Sequence, residues 1–155
     1  MSDGELRKIF RKHLTGFDLL AVETGGTSGG VPDMNYARAG VEGWIEMKAA
    51  DHWRVTIRPM QIGWCERRLR HNPRVFCAVR RAGTELWLFH ASQMRYLQTE
   101  RLDSIPHLGM WTGGAARWDW SVVEATLLDN HLVIPDNAKT TDTTLTGTRH
   151  GKESS

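Results

Sequence analysis

The chain has 155 residues and a mass of 17.6 kDa, with 40% hydrophobic and 25% charged residues, the profile of one ordinary soluble globular domain. Two cysteines, Cys65 and Cys77, exclude a disulfide framework, and seven histidines with none three or four residues from another exclude a structural zinc site. No signal peptide and no apolar run of membrane-spanning length is present, so an intracellular, reduced, membrane-free protein is expected.

In chain order, Ser2 or Asp3 caps a helix reaching about Leu14, with Glu5 in the first turn where negative charge meets the helix dipole. Leu6, Ile9, Phe10 and Leu14 form its apolar face; Arg7, Lys8, Arg11 and Lys12 form its wet one. Gly16 ends this helix. Phe17 to Thr24 reads as the first strand, with Glu23 at its far end. The loop from Gly25 to Gly30 is too glycine-rich for regular structure and lacks the GxxxxGK[ST] pattern, which excludes a P-loop and a nucleotide cofactor.

The segment Val31 to Ala37 can pair antiparallel with Trp44 to Ala49 around a turn at Ala39 to Gly43. In a suitable register Asp33 and Glu46 then lie side by side, and period-two alternation puts Lys48 on their face. Two carboxylates and an ammonium make a hard-metal site suited to Mg2+ or Mn2+. Such an ion polarises a phosphodiester and acidifies its bound water, which makes hydrolysis of nucleic acid feasible. An ExK pair also occurs on exposed strands as a weak, solvated ion pair. The glycine loop before it and the basic helix after it single this one out.

Pro59 suits the start of a helix to His71, with Ile62, Cys65 and Leu69 as its buried stripe and Gln61 at the stripe's border. Between His52 and Arg81 stand eight arginines against the single acid Glu66, a block that attracts phosphate backbones. Arg74 to Arg80 and Thr84 to His90 read as an antiparallel strand pair turning at Ala82 and Gly83. A helix follows from Ser92 to about Glu100, then loops from Arg101 to Arg117, then a helix or strand from Trp118 to Leu128. Residues 136–155 lack an apolar pattern and are expected to be a disordered or interaction tail behind a domain of residues 1–135.

The order Gly30-Val31-Pro32-Asp33, Glu46-Met47-Lys48-Ala49 and Gln61 early in a helix resembles the PD-(D/E)XK nuclease superfamily. More narrowly it resembles the VRR-NUC (virus-type replication-repair nuclease) group, over about residues 5 to 90. The resemblance implies an α/β fold with a restriction-endonuclease-like core. Its central mixed sheet would have four or five strands, with the first helix and the Pro59 helix packed against it and the metal site at one edge. Asp33 and Glu46 would bind one or two Mg2+, with Mn2+ as a substitute, together with the Met47 carbonyl. Glu5 would be the further acid, Glu23 competing for that place. Lys48 would orient or help deprotonate the attacking water, and Gln61 would face the acids. Arg54, Arg58, Arg67 and Arg68 would grip the DNA backbone. The implied activity is an endonuclease leaving a 5′-phosphate and 3′-hydroxyl on branched DNA such as Holliday junctions. A homodimer acting in replication, recombination or repair, encoded by a virus or mobile element, is the matching expectation. Two rivals are a nucleic-acid-binding module on a nuclease fold that no longer cuts, against which the intact Asp33, Glu46 and Lys48 weigh, and an interaction protein whose basic helix meets an acidic partner.

Overall fold

The computed structural model describes residues 4–22 and 29–132. The expectations about Ser2, Asp3, Glu23, most of the glycine loop and the tail lie outside these residues. Helix α1 (Gly4–His13) leads to strands β1 (Asp18–Ala21), β2 (Met34–Arg38) and β3 (Val41–Ala50), then α2 (Pro59–Leu69), β4 (Val75–Arg81) and β5 (Glu85–His90). Helix α3 (Met94–Thr99), strand β6 (Gly109–Trp111) and helix α4 (Trp120–Leu128) follow. The strands form one sheet in the order β1-β2-β3-β4-β5-β6, antiparallel throughout except for the parallel pair β3–β4, which α2 connects.

The α/β class and mixed sheet agree with expectation. The sheet has six strands, however, rather than four or five. The extra one is β6, a three-residue strip along Leu86 to Leu88 in a stretch read as loop, too short to carry a periodic signal. The Trp118 segment resolves as a helix because Asp119 caps it, its carboxylate accepting from the Val122 N–H. The hairpin turn also shrinks to Ala39 and Gly40, both at positive φ, the conformation of a tight two-residue turn. Val41 to Gly43 join the strand. Gly43 is tolerated there because a Cβ would sit 2.4 Å from the Tyr36 ring and 2.6 Å from the Arg74 carbonyl.

Alternation along the strands builds two apolar layers. Met34, Tyr36, Ile45, Met47, Phe76, Ala78, Leu86 and Leu88 face one side, where Leu6 and Phe10 of α1 and Val123 and Leu127 of α4 cover them. Val75, Cys77, Val79, Trp87 and Phe89 face the other, beneath Ile62 and Cys65 of α2 and Met94 and Leu97 of α3. Strand β4 is buried on both faces, which accounts for its unbroken apolar run. The Tyr36 hydroxyl donates to the Leu127 carbonyl at 2.5 Å and ties α4 to the sheet.

His90 ends β5 fully buried. Its Nε2 lies 2.7 Å from the Pro73 carbonyl, so it carries the proton, while Nδ1 accepts from the Ser92 N–H. Burial lowers its pKa below the usual 6.5, so the unfolded chain takes up a proton first as pH falls. Stability is then complete above about 6.5 and declines below it. The thermal midpoint should fall between pH 7.5 and 5.5, and His90→Gln should flatten that slope. An unchanged slope would show that other groups set it.

Candidate active site

Strand β2 stops pairing at Met34, opposite Ile45, yet β3 continues to Ala50. The next N–H of β3 facing the vacated side is that of Met47, and it donates to Asp33 Oδ2 at 2.8 Å. An unsatisfied N–H at such a place would cost about 1–3 kcal/mol. Continuing the register by one step sets Asp33 opposite Glu46. Glu46 and Lys48 alternate with the buried Ile45 and Met47, so they lie on the α2 side of β3. The expected juxtaposition of Asp33, Glu46 and Lys48 is therefore present. It lies on an interior strand rather than at the sheet's edge, because β1 and β2 extend the sheet beyond it.

Glu46 is only 3% exposed. Its Oε2 forms an ion pair with Lys48 Nζ at 3.3 Å and accepts from Gln61 Nε2 at 2.8 Å, a pairing that a buried carboxylate requires. Gln61 Oε1 in turn accepts from Lys48 Nζ at 3.2 Å and from the Arg58 N–H at 2.9 Å. The last bond also caps the start of α2, and it fixes which end of the amide is oxygen. Gln61 thus faces the acids, buried between helix and sheet, and couples the helix terminus to both Glu46 and Lys48.

Gly30, the last of the glycine loop, has φ +86° and packs against the first turn of α2; a Cβ there would lie 2.1 Å from the Met60 carbonyl oxygen. From the other side of the sheet, Arg7 of α1 brings Nη1 to 3.9 Å from Asp33 Oδ1. Sequence reasoning placed Arg7 only on a wet helix face, and nothing in its spacing marks it otherwise. Glu5, on the same helix, is exposed and does not join the acids. Among the described residues no group of three or more His, Cys, Asp or Glu forms, so Asp33 and Glu46 stand as two carboxylates without a third.

That donor set fits a hard divalent ion, since Mg2+ is held by one or two carboxylates and keeps several waters. Soft ligands are absent from it. Burial, reinforced by the charge of Glu46, raises Cys65 to about 12 and pushes Cys77 well above the ordinary thiol value, so both stay protonated.

The expected arginines divide into two groups. Arg54 and Arg58 line a cleft of about 770 Å³ together with Lys48, His52, Trp53 and Arg101. Arg67 and Arg68 lie toward the opposite end of α2, where Arg68 rests over the rings of Trp64 and Trp44 at 4.7 and 5.3 Å. Arg101 belongs to the cleft although no local pattern joins it to Lys48, 53 positions earlier in the chain.

No protein-family model matches the chain, and no curated protein does. Among solved structures, Hjc, a Holliday junction resolvase from the archaeal hyperthermophile Archaeoglobus fulgidus, is similar at 15% identity and a TM-score of 0.48 over 57% of this chain and 75% of that one. A likeness this distant assigns neither site nor chemistry. No described helix is long and apolar enough to cross a membrane.

Gly30→Ala should reduce unfolding free energy by roughly 1–3 kcal/mol, from the strained φ and the collision with α2. Urea denaturation reads this. A loss below about 0.5 kcal/mol, the size of an ordinary surface change, would mean that Gly30 is not packed against the helix.

Proposed function

We propose that the protein is a metal-dependent endodeoxyribonuclease acting on branched DNA. The observation that carries this reading is the ring formed by Glu46 and Lys48 on one face of β3 and Gln61 of α2, with Asp33, just before β2, beside it. The motif order in the sequence points the same way.

In this reading Asp33 and Glu46 hold Mg2+, or Mn2+ in its place, with the Met47 carbonyl as the third protein ligand. The ion, when bound, draws charge from a phosphate oxygen and makes water a better nucleophile. Lys48 pairs with Glu46, donates to Gln61 and lines the cleft, where its ammonium orients the attacking water and offsets charge developing on the phosphorane. Gln61 acts as a positioning residue for Glu46 and Lys48, since its oxygen already accepts two hydrogen bonds. Arg54 and Arg58 take flanking phosphates, contacts that set register and read no sequence. In-line attack leaves a 5′-phosphate and a 3′-hydroxyl. A homodimer completes the reading, because a two-fold pair presents two sites across a junction.

Cleavage of a synthetic four-way junction should occur with Mg2+ or Mn2+ and stop in EDTA. Binding without cleavage in either metal would favour a non-catalytic module; no nucleic-acid binding at all would favour an acidic protein partner. Lys48→Ala should lower the cleavage rate by about 100-fold or more while DNA binding in EDTA stays nearly intact. Retained cleavage in that variant would remove Lys48 from the mechanism.

A further inference from the structure

The second basic surface, at the C-terminal end of α2, is left without a task by the chemistry above. We infer that the concavity there, about 210 Å³ and lined by Trp64, Arg67, Arg68, Arg70 and His71, binds an unpaired nucleotide of the DNA strand flanking the cut phosphate. This rests on the nuclease reading and adds to it a preference, among branched DNAs, for those with a single-stranded segment beside the cleavage point.

Position supports it first. Trp44 lies two residues before Glu46 on the same face of β3, and its ring meets Trp64 edge-on at 5.2 Å. Gln61 of α2 touches Glu46 and Lys48, whereas Arg68, farther along the helix, covers Trp44. Helix and strand therefore run in opposite directions, with the Lys48 cleft at one end and the tryptophan pair at the other. From Gln61 to Arg68 the helix rises about 10 Å, which matches about three nucleotides of one stacked strand at about 3.4 Å each.

Chemistry supports it second. A nucleotide needs a flat apolar face and a cation for its phosphate, and both are here. Trp64 is partly buried, with Arg68 over its ring, and lines the concavity. Arg67 and Arg70 are exposed and make no ion pair among the described residues, whereas Arg81, Arg95 and Arg101 are each held by a carboxylate. Glu66, the single acid of this segment, is taken by Arg95 through two hydrogen bonds of 2.6 and 3.0 Å. Arg68 is pre-set by the two indoles, and stacking of this kind leaves the in-plane N–H groups of a guanidinium available to phosphate. Base stacking on such a platform tolerates any sequence.

Fluorescence anisotropy in EDTA, where nothing is cut, tests this with three labelled DNAs: a blunt duplex, the same duplex with a short single-stranded overhang, and that duplex with an abasic overhang. The overhang, in at least one polarity, should tighten Kd by about fivefold or more over blunt DNA, and the abasic overhang should recover only part of that gain. Trp64→Ala should bring the blunt-to-overhang ratio close to one. So should the double variant Arg67→Ala, Arg70→Ala, which alters only exposed side chains and keeps the test decisive if Trp64→Ala misfolds. An abasic overhang that binds as tightly as the base-bearing one would overturn the proposal, as would a ratio unchanged in the variants or polyglutamate competing as well as single-stranded DNA. Overhang preference without cutting in Mg2+ or Mn2+ would leave this inference standing and remove the nuclease reading; cutting without overhang preference would do the reverse.

Discussion

The site is organised by one hydrogen bond, from the Met47 N–H to the Asp33 carboxylate. It exists because β3 outruns β2: a strand that loses its neighbour while still inside the protein must find another acceptor for each exposed N–H. A side-chain oxygen arriving from the end of the shorter strand does this. It also carries a negative charge to the flank of Glu46. Sheet architecture and site composition thus have a common cause, the unequal length of two paired strands.

The second constraint is the burial of Glu46. A carboxylate this deep is tolerated only when its charge is met and its oxygens are bonded. Lys48 and Gln61 do both, and Gln61 draws its own support from the N-terminal turn of α2. The helix is consequently tied to the sheet by polar groups at one end and by Ile62 and Cys65 in the apolar layer. Gly30 packs against the same turn. Separate chain segments thus meet around one carboxylate, the arrangement on which the proposed ion site rests.

Much of this was legible in the sequence, for identifiable reasons. Period-two alternation in a strand is rigid, so Glu46 and Lys48 on a common face followed from spacing alone. Proline at the first turn of α2 and the hydrophobic stripe behind it placed Gln61 near the sheet. The apolar runs of β4 and β5 read directly as buried strands. What stayed hidden depended on tertiary geometry. β6 is three residues long and is defined by its pairing rather than its pattern. Arg7 reaches Asp33 only because α1 packs on β3, which no local signal encodes. The arginines of the basic block looked equivalent in sequence, yet α2 separates them into a cleft group and a tryptophan-backed group. Period two applied one step earlier along β3 puts Trp44 on the face of Glu46.

In the proposed mechanism Asp33 and Glu46 share one divalent ion. Calorimetric titration of Mn2+ into the DNA-free protein measures this most directly, with Asp33→Asn and Glu46→Gln compared at equal concentration. A saturable site is expected in the wild type, weakened by about tenfold or more in each variant, a loss of at least ~1.4 kcal/mol per carboxylate. Mn2+ affinity and stoichiometry unchanged in both variants would contradict it.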